Sequence, residues 1–160
     1  MRFYLVDQIT LIVPGKSIEG IKAWTLSEEF FEEHFPGYPV VPGVLLIESM
    51  AQILGFLGEK SYEEQFEDRE GVYVILSLVH RAKFKDYVIP GDQCILKATL
   101  KSLDRNRCTG SAEVFVEGKC MAEAELSFVI VQRDLLPPNK FISKREEYTQ
   151  ILTQERRRRK

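Results

Sequence analysis

An α+β fold, with one buried helix laid against a curved antiparallel sheet, is what this sequence predicts. Three observations carry it: a single long apolar run at residues 43–58, a series of later segments in which apolar and polar residues alternate, and connections of only a few residues between those segments.

Residues 2–13 (RFYLVDQITLIV) and 16–24 (KSIEGIKAW) read as strands joined by a Pro14-Gly15 turn. Thr25 followed three residues later by Glu28 has the spacing of a capping box, which predicts a short helix over about 26–32. From Gly43 to Gly58, residues Val44 to Ile47, Met50, Ala51, Ile53, Leu54, Phe56 and Leu57 leave almost no polar face. A helix apolar nearly all round is a core helix or a membrane span. This one follows Pro42, contains Glu48 and Gln52, and is too short to cross a bilayer, so it reads as core. The acidic stretch 59–71 reads as a surface helix end or loop.

Strand patterns dominate thereafter. Residues 72–88 end at a Pro90-Gly91 turn. In 94–101, Cys94, Leu96, Ala98 and Leu100 share a face; in 112–117, Ala112, Val114 and Val116; in 120–131, Cys120, Ala122, Ala124, Leu126, Phe128 and Ile130. The connections Asp104-Arg105-Asn106 and Glu117-Gly118-Lys119 suit antiparallel neighbours.

A chain of 160 residues, 44% hydrophobic and 29% charged, is long enough for one globular domain with a sizeable core. The three cysteines, Cys94, Cys108 and Cys120, form no CxxC pair. That argues against a zinc site or a disulfide framework, so no metal is expected and a reducing, cytoplasmic location is. The N-terminus carries Asp7 and no apolar stretch of signal-peptide length. The charge is uneven. Residues 132–160 hold nine bases and four acids, whereas 1–131 hold thirteen bases and twenty acids. The expected division is therefore a domain over 1–131 and a basic tail over 132–160, read as a solvated terminus. Nucleic acid is a poor primary partner for so acidic a body.

The chemistry concentrates in one stretch, His34-Phe35-Pro36-Gly37-Tyr38-Pro39-Val40-Val41-Pro42-Gly43 and on through Glu48 to Gln52. Between Tyr38 and Gly58 the only charged side chain is Glu48. Burying a lone carboxylate costs several kcal/mol unless it is paired, bonded or neutralised, so a retained one points to use; a structural glutamate is the plainer alternative. His34 lies in a loop stiffened by prolines and is of the residue type that exchanges protons near neutral pH. Gly43 sits at the expected helix N-terminus, where free amides favour negative charge and the missing side chain lets a carbonyl approach. A base, an acid and an amide donor are the set needed to take a proton beside a carbonyl and expel a group one carbon further on. The second histidine, His80, reads as a strand residue with a satisfied ring.

Together, HFPGYPVVPGVLLIESMAQ, with SEEFFEEHFPG before it and RAKFKDYVIPGDQ and GKCMAEAEL after it, resembles the 3-hydroxyacyl-acyl-carrier-protein dehydratases of fatty acid synthesis, the FabZ type. Glutamate rather than aspartate at position 48 separates it from the FabA type. The resemblance implies the hot-dog fold, a long helix wrapped by an antiparallel sheet. It implies that His34 removes the C2 proton, that Glu48 protonates the departing C3 hydroxyl and that the Gly43 amide polarises the thioester carbonyl. It further implies a homodimer with active sites at the interface, in some members a trimer of dimers, and a substrate carried on the pantetheine of acyl carrier protein with no other cofactor. Arg81, Lys83 and Lys85, alternating along one strand face, are candidates for docking that acidic carrier. Val41, where the family commonly has methionine, His80, and the tail beyond Arg133 depart from the pattern. An acyl thioesterase of the same fold and a non-catalytic acyl-binding module are the alternatives.

Overall fold

The computed structural model describes residues 3–68, 70–135 and 142–153. Its strands are β1 (Gln8–Val13), β2 (Ser17–Ala23), β3 (Val72–Phe84), β4 (Gln93–Leu103), β5 (Arg107–Val116) and β6 (Lys119–Gln132). They form one antiparallel sheet in the order β1-β2-β4-β5-β6-β3, so β1 and β3 are its two edges. The helix α1 (Gly43–Phe66) fills the concave face and a second helix, α2 (Ile142–Thr153), packs on β1.

Alternation in the sequence matches burial in the sheet. Cys94, Leu96 and Ala98 of β4, Cys108, Ala112 and Val114 of β5, and Ala122, Ala124, Leu126 and Phe128 of β6 point into the core. They meet Met50, Ile53, Leu54 and Leu57 of α1, each fully buried. Burial of each such side chain contributes about 1.5–3 kcal/mol. The approach is close at Gly110: a Cβ there would lie 2.5 Å from the Thr99 carbonyl oxygen and 2.7 Å from a Leu54 methyl. Glycine thereby sets how near the helix lies to the sheet.

Four local expectations needed correction. The first strand begins at Gln8, not residue 2, because Leu5 gives its N–H to the Gln52 side chain at 2.8 Å instead of to a strand ladder. The expected helix over 26–32 is a 3₁₀ turn at Glu29–Glu32 with no capping box, since the Thr25 hydroxyl pairs with that of Ser27 at 2.6 Å. The helix α1 runs eight residues beyond Gly58, because Ser61 and Tyr62 continue its buried face. The Ser61 hydroxyl donates to the Leu57 carbonyl at 2.6 Å and accepts the Gly15 N–H at 2.7 Å, tying the β1–β2 turn to the helix. The left-handed residue Glu67 (φ 51°) then ends it. Finally, Lys85 lies just past the end of β3 rather than within it.

Within the basic segment, α2 docks Leu152, 4% exposed, against the body. The terminal RRRRK and residues 136–141 lie outside the described residues.

Candidate active site

His34 follows the 3₁₀ turn, whose Phe31 is buried as an anchor. The His34 N–H donates to the Phe30 carbonyl at 2.9 Å, and its own carbonyl accepts the Val40 N–H at 2.9 Å. Inside that bracket, Phe35 and Tyr38 exchange backbone hydrogen bonds around Gly37 (φ 78°), a conformation suited to glycine. Val40 and Val41 are buried, and the Val41 N–H reaches the Val88 carbonyl at 2.8 Å, pinning the far end of the loop.

The ring itself is fixed. His34 Nδ1 lies 3.0 Å from the Val40 carbonyl oxygen and the ring stacks on Phe35, centroids 4.1 Å apart. A carbonyl only accepts, so Nδ1 carries the hydrogen and the neutral ring presents Nε2 as a free lone pair. That is the form of a general base.

Glu48 projects from α1 and is half-buried, where the sequence argument expected it fully buried. The Gln52 side-chain amide explains how the carboxylate is held. Its nitrogen donates to Glu48 Oε1 at 2.9 Å and to the Phe3 carbonyl at 3.0 Å, while its oxygen accepts the Leu5 N–H. Glu48 and Gln52 open onto a cavity of about 330 Å³ whose wall is otherwise mostly apolar, including Phe56, Val74, Leu76 and Phe128. The buried Glu59 lines the same cavity further along α1, so a mostly apolar wall carrying two carboxylates faces any ligand.

Gly43 opens α1 after Pro42. Among the described residues no acceptor takes its N–H, so that amide and the helix dipole point at whatever approaches. A Cβ at 43 would lie 2.8 Å from the Phe84 ring, a second reason for glycine there. Neither His34 nor Gly43 lines the cavity that Glu48 lines in the same chain. The three residues singled out in the sequence are thus each prepared for chemistry, but one chain does not gather them around one cavity.

The remaining candidates separate. Arg81 bonds Glu123 at 2.6 Å and Lys85 pairs with the same carboxylate, whereas Lys83 is exposed with no ion pair among the described residues. These two cations hold the Glu123 carboxyl below its ordinary range. His80 Nε2 contacts the Ser127 hydroxyl at 2.7 Å, as a satisfied strand histidine does. Burial pushes the Cys94 and Cys108 thiols up to about 12, which removes both as nucleophiles. Glu113, Cys120 and Glu123 approach with metal-ligand spacing, but Glu123 is already held by Arg81 and Lys85.

Sequence reasoning passed over Gln52 as a site residue, although its position four residues after Glu48 places it on the same helix face. It also missed Tyr148 and Leu152 of α2, which line the cavity from 100 and 104 residues beyond Glu48 in sequence.

The FabA-like domain family matches residues 1–125. A 3-hydroxyacyl-[acyl-carrier-protein] dehydratase FabZ from Geobacter metallireducens is 37% identical over 134 residues, covering 84% of this chain and 87% of that protein. The protein of the same name from Clostridium botulinum (strain Okra) is 43% identical over 128 residues, covering 80% and 85%. Among solved structures, a thioesterase from Haemophilus influenzae superposes with a TM-score of 0.57 at 17% identity, covering 76% of each chain. That likeness bears on the fold alone.

Proposed function

The chain belongs to the FabA-like family, among its FabZ-type 3-hydroxyacyl-[acyl-carrier-protein] dehydratases, and from that premise we propose how its own residues carry out the reaction. The activity is removal of water from a 3-hydroxyacyl thioester on acyl carrier protein, giving the trans-2-enoyl thioester, in fatty acid synthesis. His34 Nε2 takes the C2 proton. Glu48 delivers a proton to the C3 hydroxyl, which leaves as water, while the Gly43 N–H stabilises charge on the thioester oxygen. Each positioned acid or base contributes about 10²–10⁴-fold to such a step. Proton transfer and one amide donor suffice for it, so the reading calls for no metal or redox cofactor beyond the carrier's own pantetheine arm.

The single observation that supports the assignment best is the tautomer of His34, held with Nδ1 on the Val40 carbonyl and Nε2 free. Because His34 does not line the cavity of its own Glu48, a second copy of the chain supplies the histidine. The edge strand β3 favours that pairing: Ile75, Leu76, Leu78 and Val79 are all exposed there, apolar, beside unpaired backbone groups. A homodimer, alone or within a trimer of dimers, is therefore part of the proposal. So is a carrier docking patch at Arg81, Lys83 and Lys85, of which Lys83 is the cation free of ion pairs among the described residues. Among the described residues no helix is long and apolar enough to cross a membrane. A cytoplasmic setting is proposed from the free thiols of Cys94, Cys108 and Cys120.

The test is turnover of 3-hydroxyacyl-acyl carrier protein by the purified protein, reading enoyl product and free thiol together. Enoyl product that falls by at least about 10² in His34→Ala and in Glu48→Gln supports the roles given. Thiol release without enoyl product would move the chain to thioester hydrolysis, and binding without either product would make it an acyl-binding module.

A further inference from the structure

The helix α2 begins seventeen residues beyond the end of the family match at residue 125. It nevertheless reaches the cavity that holds Glu48. Tyr148, Thr149 and Leu152 line that cavity together with Glu48 and Gln52. The helix is fastened where it does so: the Tyr148 hydroxyl donates to the Val6 carbonyl at 2.6 Å, its ring stacks on Tyr4 with centroids 3.9 Å apart, and Leu152 is 4% exposed. Burial pushes the Tyr148 hydroxyl's pKa up, keeping it a proton donor. The cavity is lined by Glu48, Glu59 and mostly apolar side chains of α1, β3 and β6, and α2 closes it on the side next to β1.

We propose that α2 is a wall of the acyl pocket and that Leu152 and Thr149 are specificity-determining residues that limit the length of acyl chain dehydrated. This rests on the dehydratase reading above and adds to it the selection among its substrates. Tyr148 is a positioning residue in this scheme, since it fastens the helix through Val6 and Tyr4. An apolar pocket discriminates by the volume left for each methylene, at about tenfold or more per group fitted or refused. Volume removed from the wall therefore favours long chains and volume added favours short ones.

The experiment compares kcat/KM for short, medium and long 3-hydroxyacyl thioesters of acyl carrier protein in the full-length protein and in Leu152→Ala, Thr149→Leu and Tyr148→Phe. Leu152→Ala is expected to raise the long-to-short ratio by about tenfold and Thr149→Leu to lower it by a similar factor. Tyr148→Phe keeps the ring stack and is expected to weaken the ratio less than either. Thr149→Leu adds volume rather than opening a void, so it still reports if Leu152→Ala loosens the helix. An unchanged ratio in both Leu152→Ala and Thr149→Leu, with short-chain turnover retained, overturns the inference and leaves the dehydratase reading standing. No enoyl product from the unsubstituted protein at any length overturns the dehydratase reading and this inference with it.

Discussion

His34 and Val40 hold each other twice: the Val40 N–H donates to the His34 carbonyl at 2.9 Å, and the His34 ring donates through Nδ1 to the Val40 carbonyl at 3.0 Å. The prolines on either side restrict the loop that makes this bracket, and buried Val40 anchors it. Rotation of the ring would break one of these bonds, so the face that Nε2 presents is set before any substrate arrives. Nitrogen chemical shifts of the neutral ring are expected to place the hydrogen on Nδ1. A hydrogen on Nε2 would leave His34 without a free lone pair on its exposed side and would remove it as the base.

Gln52 is the second residue on which the site depends. Its amide spans Glu48, Phe3 and Leu5, so truncation frees the carboxylate and strands the Leu5 N–H. Gln52→Ala is expected to lower stability by about 1–3 kcal/mol, the cost of a buried donor left unsatisfied. It is also expected to lower kcat more than it raises KM, because a wandering acid affects the chemical step. Thermal unfolding and steady-state kinetics on one preparation measure both. An unchanged kcat would show that Glu48 needs no such guide.

How much of this was legible in the sequence follows from the range of the interactions. The core faces of β4, β5 and β6 could be read because alternation is local, as at Cys94, Leu96 and Ala98, whereas the place of β3 at the sheet edge could not. His34, Gly43 and Glu48 stood out for the same reason, being rare residue types within one short apolar stretch. Some misses depended on a distant partner and others on a local competitor. The first strand lost its opening residues to Gln52, and Thr25 turned to Ser27 instead of capping a helix. The continuation of α1 past Gly58 was concealed by its charged residues, although Glu59 is buried along with Ser61 and Tyr62. Nothing in the composition of 132–160 indicated that Tyr148 would find Val6, 142 residues earlier.

The edge strand β3 makes assembly testable without touching the acid or the base. Leu78 is 51% exposed on a strand whose other neighbour, β6, is already in place. A charge there in a paired edge would have to be buried against its own copy, at a cost of several kcal/mol. Leu78→Glu is expected to convert a dimer to monomers in sedimentation or light scattering and to abolish turnover in parallel. In the monomer the melting temperature of the fold should change little, since the side chain is exposed in the isolated chain. Full activity in a monomeric variant would show that each chain completes its own site.

Glu123 pairs with Arg81 and Lys85, two of the three cations proposed to dock the carrier. Hydrogen bonds from Lys85 and then Arg81 hold its carboxyl below the ordinary value of 4.5. A depressed carboxylate contributes stability that is present above its unfolded pKa and lost as pH falls through the folded one, so the contribution disappears below about pH 4.5. Glu123→Gln, which cannot titrate, is expected to flatten that acid limb of a melting-temperature profile by a small amount, as befits a surface network. The same change removes the negative charge that occupies Arg81 and Lys85. If those cations with Lys83 receive an acidic carrier, Glu123→Gln should lower KM for carrier-borne substrate, most visibly at low salt where surface charges are least screened. KM for a small pantetheine thioester should stay the same. An equal change for both substrates would place the effect in the pocket and remove this strand end from carrier recognition.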